Sequence, residues 1–193
     1  PDGRFFPRET LLNLHRRVEA SGGLLLVDEA FGDMRPDDCI APLAGDDRPG
    51  LLVFRSFGKF FGLAGLRLGF VVGPSTILET LADGLGPWAV SGPALTIATT
   101  LMASDTTPIR HALRQRKACL DQVLAGAGLS VTGGTDLFSL VEHAAATDLH
   151  LHLCRHHILV RSFDYHPRWL RFGLAADAAS DARLAAALRD FAG

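Results

Sequence analysis

Apolar residues recur at helical spacing near the start of the chain. Leu11, Leu14 and Val18 share one face, with Arg16, Arg17 and Glu19 largely opposite. The spacing predicts a helix over residues 7–20, stopped by Ser21-Gly22-Gly23. The pattern then changes to a continuous apolar run, Leu24-Leu25-Leu26-Val27, ending in Asp28 and Glu29. A short run of this kind predicts a strand buried on both faces, the habit of parallel sheets. Leu51-Leu52-Val53-Phe54 is a second such strand and Leu66 to Val72 a third, so the first half predicts part of an open α/β layer.

The chain turns polar at Ala103-Ser104-Asp105-Thr106-Thr107-Pro108, which sets the expected boundary between domains at 1–104 and 105–193. A long helix follows, with Ile109, Leu113, Leu120, Val123 or Leu124 and Ala127 at helical spacing and Gly128 closing it. Short strands are expected near 129–131, 137–141, 158–162 and 169–174, with a histidine-bearing helix between the second and third. Ser180 is expected to cap a last helix carrying Leu184, Leu188 and Phe191. This second half reads as a small α+β domain.

Composition narrows the classes. Of 193 residues, 48% are hydrophobic and 21% charged, which excludes a disordered or highly charged tail protein. A formal net charge of −2 leaves no footprint for nucleic acid or an anionic membrane. No apolar run approaches the ~18 residues that span a bilayer. Pro1 opens the chain with no Met and no basic n-region, so the sequence is expected to be cut from something longer. Cys39, Cys119 and Cys154 form no CxxC pair and suit reduced cytoplasmic thiols. His150, His152, Cys154, His156 and His157 invite a metal reading, but no acidic residue is expected to join them. Leu149, Leu151 and Leu153 run through the same stretch, so the expectation is a packed helix with solvated histidines and no metal.

The chemistry gathers elsewhere. In open α/β sheets ligands bind beyond the carboxyl ends of the strands, and Asp28 sits at such an end. A lone aspartate there is ordinarily a turn residue, and Ser56, Lys59 and Arg67 change that. Lys59 lies in a loop bounded by Gly58, Gly62 and Gly65, with Phe57, Phe60 and Phe61 around it. An apolar setting frees a lysine amine to attack a carbonyl. Ser56 and Arg67 suit a phosphate, the arginine through its bidentate fork. An aldehyde, a phosphate and a basic ring nitrogen that Asp28 would keep protonated describe pyridoxal phosphate.

The arrangement D-x-x-F, then S-x-x-K, then an arginine eight residues on, resembles the large-domain signature of fold-type I pyridoxal-phosphate enzymes, the class I/II aminotransferase family. Pro1-Asp2-Gly3 resembles the tail of that family's N-P-x-G turn. The segment from Arg55 to Phe70 is similar to the histidinol-phosphate aminotransferase branch. Gly86-Pro87-Trp88-Ala89-Val90-Ser91 and Ile158 to Phe163 look more like the threonine-phosphate decarboxylase branch of cobalamin biosynthesis. The resemblance implies the back half of a cofactor domain (1–104), a C-terminal small domain (105–193) and a homodimer. It implies that Arg171, in W-L-R-F-G, clamps a substrate α-carboxylate, and that Arg161 meets the phosphate of a phosphorylated amino acid. Phe31 stands where many relatives carry a tyrosine whose hydroxyl bonds the cofactor. The stacking aromatic ring, glycine-containing phosphate loop and asparagine of the family would lie before Pro1.

Decarboxylation of threonine phosphate is therefore the leading expectation, with transamination of the histidinol-phosphate type as the alternative. A catalytically incomplete piece serving as a structural or interaction module is a further reading. Leu24 to Glu29 also resembles a Walker B strand, but the chain holds no G-x-x-x-x-G-K-[ST] loop.

Overall fold

Two of the apolar runs meet side by side. β1 (Leu25–Asp28) pairs in parallel with β2 (Leu51–Ser56), with Leu25 opposite Leu51 and Val27 opposite Val53. One face of the pair packs Leu51 and Val53 with Ile40 and Ala41. Leu11 and Leu12 of α1 (Arg8–Glu19) cover this small core. The other face is open: Leu24 and Leu26 are 54% and 60% exposed, so β1 is not buried on both faces as its sequence predicts. His15 shows how α1 is tied down. It is buried, and its Nε2–H donates to the Pro49 carbonyl at 2.7 Å.

The third strand departs from an all-parallel reading. β3 (Gly69–Val72) runs antiparallel to β2, with Ser56 opposite Gly69, and the sheet order is β1-β2-β3. The loop 57–68 turns back at the carboxyl end of β2 and never returns to its start, which a parallel crossover requires. Two further helices follow, α2 (Ser75–Leu85), which carries Ile77, Leu81 and Leu85 at helical spacing, and α3 (Gly92–Met102). No residue of α2 is buried, so its apolar stripe is not covered by a core. Ser91 caps α3, its Oγ accepting the Ala94 N–H at 3.4 Å.

This computed structural model describes residues 2–192. The chain forms two compact units, 5–105 and 106–192, the second joined by residues 2–4. Pro1, the first residue of the turn-like Pro1-Asp2-Gly3, lies outside the described residues. Residues 2–4 lie against β4 of the second unit: a Cβ added at Gly133 would come 2.5 Å from the Asp2 carbonyl. Only glycine admits that approach.

The second unit carries an antiparallel sheet in the order β4-β5-β7-β6: β4 (Val131–Thr135), β5 (Phe138–Glu142), β6 (Arg161–Ser162) and β7 (Trp169–Gly173). Helices α4 (Thr107–Gly126), α5 (Ala146–Arg155) and α6 (Ala178–Ala192) complete it. Leu120, Leu124, Leu149, Leu153, Leu170 and Phe172 are its fully buried centre, the positions that helical and strand spacing select. Arg116 of α4 donates to the Ala175 carbonyl at 3.0 Å and to Asp181 at 2.5 Å, fixing the start of α6. The cap of α6 is one turn earlier than expected. Asp177 Oδ1 accepts the Ser180 N–H at 2.8 Å, so Ser180 is inside the first turn, and this bond lowers the Asp177 pKa. Among the described residues no helix is long and apolar enough to cross a membrane.

Candidate active site

Asp28, Phe31, Ser56, Lys59 and Arg67 all fall at or just past the carboxyl ends of β1 and β2, on the loops 28–34 and 56–68. Asp28 is the last residue of β1 and is exposed at the end of the open face that Leu24 and Leu26 form. Its Oδ1 accepts the Ala30 N–H at 2.9 Å, a local turn that fixes where the carboxylate points. Ser56 ends β2, and its Oγ accepts the Gly58 N–H at 3.0 Å.

Lys59 and Phe31 come together from the two loops. The ammonium nitrogen stands 5.7 Å from the Phe31 ring centroid, within cation–π range. The other aromatic rings do not enclose the lysine. Phe57 and Phe60 are only 2% and 3% exposed, turned into the base of the loop, and Phe57 stacks on Phe61 at 5.4 Å. Lys59 is left exposed above them. The phenylalanines thus build the platform for the lysine rather than an apolar jacket around it.

Arg67 has a left-handed backbone, φ 51°, unusual outside glycine. Its Nη1 donates to the Ala64 carbonyl at 3.1 Å. The Phe57 N–H donates to the Leu68 carbonyl at 3.3 Å, which closes the loop and brings the segments holding Ser56 and Arg67 side by side. Gly69 makes the closure possible, since a Cβ there would sit 2.8 Å from the Arg55 carbonyl.

Three polar residues hold these loops, and spacing does not reveal them. Arg55 donates from Nη1 to Glu29 at 3.3 Å and from Nη2 to Asp33 at 2.5 Å. Glu29 Oε1 also accepts the Ile40 N–H at 2.5 Å. Burial opposes the Arg55 charge, but Asp33 and Glu29 outweigh it and raise its pKa. Buried beside them, Cys39 has its thiol pushed up to about 11 by desolvation and by the Glu29 charge. The sequence signal is indirect: Glu29 follows Asp28 and Arg55 precedes Ser56, so each is the chain neighbour of a candidate ligand.

The donor set fits pyridoxal phosphate. A hydroxyl and a guanidinium suit a phosphate, an exposed amine suits an aldehyde, and a strand-end carboxylate suits a protonated ring nitrogen. Phe31 offers no hydroxyl to the cofactor.

The second unit presents a separate cationic feature. Arg161 of β6 lies directly opposite Arg171 of β7 in the antiparallel register. Like charges in that position repel. Burial and the facing Arg161 charge lower the Arg171 pKa. The Arg171 guanidinium lies 4.9 Å from the Phe138 ring centroid and 5.9 Å from that of Phe163. Leu170 and Phe172, its neighbours on β7, point into the core, the alternation that the strand sequence predicts.

A threonine-phosphate decarboxylase from a Sinorhizobium species is 58% identical over 188 residues, 97% of this chain and 56% of that protein. Threonine-phosphate decarboxylase from Pseudomonas aeruginosa is 44% identical over 193 residues, 99% of this chain and 57% of that protein. The chain thus spans about half the length of the curated relatives it matches. The fold is shared with histidinol-phosphate aminotransferase from Sinorhizobium meliloti, solved in complex with pyridoxal-5'-phosphate, at a TM-score of 0.82 and 20% identity, covering 99% of this chain and 55% of that one. Residues 1–188 match the family described as aminotransferase class I and II, and the chain belongs to that family.

Proposed function

We propose that this chain is part of a pyridoxal-phosphate-dependent decarboxylase of threonine phosphate, acting in cobalamin biosynthesis as a cytoplasmic homodimer. In this reading residues 1–104 are the second half of the cofactor domain and 105–193 the small C-terminal domain. The observation that carries it is the opposed pair Arg161 and Arg171, two guanidinium groups on facing strand positions, which suits a small substrate bearing both a phosphate and a carboxylate. Identity of 58% to a decarboxylase over nearly the whole chain favours decarboxylation over transamination.

Bound at this site, pyridoxal phosphate supplies a carbonyl carbon for the substrate amine and a cationic ring that withdraws electrons from the α-carbon. The residues supply the rest. Asp28 would hold a proton on the ring nitrogen, Ser56 and Arg67 would hold the cofactor phosphate, and the Lys59 amine would hold the cofactor at its aldehyde carbon. Phe31 packs beneath Lys59 and donates no hydrogen bond. Arg161 would take the substrate phosphate and Arg171 its carboxylate, and so would orient the substrate.

The test is the full enzyme with threonine phosphate and pyridoxal phosphate, scored for carbon dioxide and for amino-group transfer to a keto acid. Carbon dioxide released without transfer is the expected result. Transfer without carbon dioxide would replace the decarboxylase with an aminotransferase, and neither product would leave the chain an interaction module.

Arg67 gives a second expectation. Arg67→Gly relieves a left-handed conformation that costs ~1–2 kcal/mol, and the added unfolded-state entropy takes back part of it. Unfolding in urea should show a gain of up to about 1 kcal/mol. Loss of a charge-assisted bond should weaken pyridoxal phosphate binding by about tenfold or more, measured by absorbance titration. Unchanged affinity would remove Arg67 from the phosphate site.

A further inference from the structure

No acidic residue is expected to join the histidines of α5, but the fold brings one to them from α6. His156 Nε2 stands 3.2 Å from Asp190 Oδ2, and His152 Nε2 stands 3.8 Å from the same oxygen. One candidate ligand atom from each residue lies within 4.8 Å of the other two. Four-residue spacing puts the two imidazoles on one side of the helical turn, with ring centroids 4.5 Å apart. Phe191 packs against the His152 ring at 5.3 Å and steadies it.

We propose that His152, His156 and Asp190 form a binding site for a divalent transition-metal ion of the zinc class. Zinc binds imidazole nitrogen and carboxylate oxygen at ~2.0–2.2 Å, so tetrahedral ligand atoms stand ~3.3 Å apart. The His156–Asp190 separation already has that value, and small side-chain rotations bring His152 in. Two imidazoles and one carboxylate select zinc, nickel or copper over magnesium or calcium, which prefer all-oxygen shells. Three protein ligands leave a fourth position for water. The ion would clip α5 to α6 and stabilise the unit by mass action. One contact competes: His152 Nε2–H donates to the Ala187 carbonyl at 2.8 Å, and a metal at that nitrogen replaces the bond. Affinity is therefore lower than at a preformed site.

A rival pair lies on the same helix, where Cys154 Sγ is 3.7 Å from His150 Nε2, and the experiment separates the two. Equilibrium dialysis of the full chain against zinc sulfate should load one zinc per chain and raise the thermal unfolding midpoint, whereas magnesium chloride should do neither. The side chains of His156 and Asp190 are 39% and 66% exposed, so His156→Ala and Asp190→Asn keep the fold. Each should weaken zinc binding by about tenfold or more, with the metal-free midpoint confirming that folding is intact. Cys154→Ser should change nothing. Absence of stoichiometric zinc, or binding that survives His156→Ala and disappears with Cys154→Ser, overturns the site.

Discussion

Replacing Lys59 with alanine is expected to abolish turnover, a loss of ~1,000-fold or more in kcat, while the protein stays folded. The side chain is exposed and stands 5.7 Å from the Phe31 ring centroid, a contact worth about 0.5–1 kcal/mol at a surface site. Stability should therefore fall by no more than that amount. The expected loss of rate has a chemical cause: no other lysine lies on the loops beyond β1 and β2 that could replace Lys59 in the proposed role. Lys59→Arg sharpens the result. Arginine keeps the positive charge but cannot give up its proton in a protein, so it should be equally inactive. Borohydride reduction followed by mass spectrometry should place the cofactor on Lys59 of the parent and on no residue of either variant. Parent-level turnover by Lys59→Ala would remove the lysine from catalysis, and activity retained only by Lys59→Arg would make its role electrostatic.

How much of this was readable along the chain depends on the distance over which each feature acts. Ser56, Lys59 and Arg67 stand out because one loop carries them, and loop chemistry has a fixed spacing. Asp28 stands out because an apolar strand ends in it. Alternation on β7 puts Arg171 opposite the core face, since Leu170 and Phe172 face the core. The features that were missed depend on folding. Nothing local reveals that Arg55 reaches back to Glu29 and Asp33, that Asp190 approaches His156, or that residues 2–4 lie along β4. The reversed direction of β3 is hidden for the same reason, because an apolar run has no preferred sense. Ser180 misled because two capping residues stand three apart: Asp177 takes the role, and Ser180 donates its backbone N–H to it. The openness of β1's outer face was unreadable too, since Leu24 and Leu26 are as apolar as buried residues.

Arg55→Met is expected to cost the fold ~3 kcal/mol, read as a shift of the urea unfolding midpoint with an unchanged slope. The side chains of Arg55, Glu29 and Asp33 are 15%, 9% and 18% exposed, so the ion pairs are screened little by water. Methionine fills much of the same volume but removes the cation that Glu29 and Asp33 share. Glu29 must still accept the Ile40 N–H, so it cannot simply turn away to solvent. The expected loss lies in this uncompensated charge rather than in the worth of the ion pairs themselves. The triple variant Arg55→Met with Glu29→Gln and Asp33→Asn should therefore recover most of the stability, because no net charge then stays buried. Cofactor affinity is expected to fall in the single variant and to return in the triple one. Glu29 and Arg55 are the chain neighbours of Asp28 and Ser56, and a loosened cluster lets both ligands drift. A single variant within ~0.5 kcal/mol of the parent would mean that water already reaches the cluster and does most of the screening. A triple variant as weak as the single one would locate the loss in packing around the guanidinium rather than in charge.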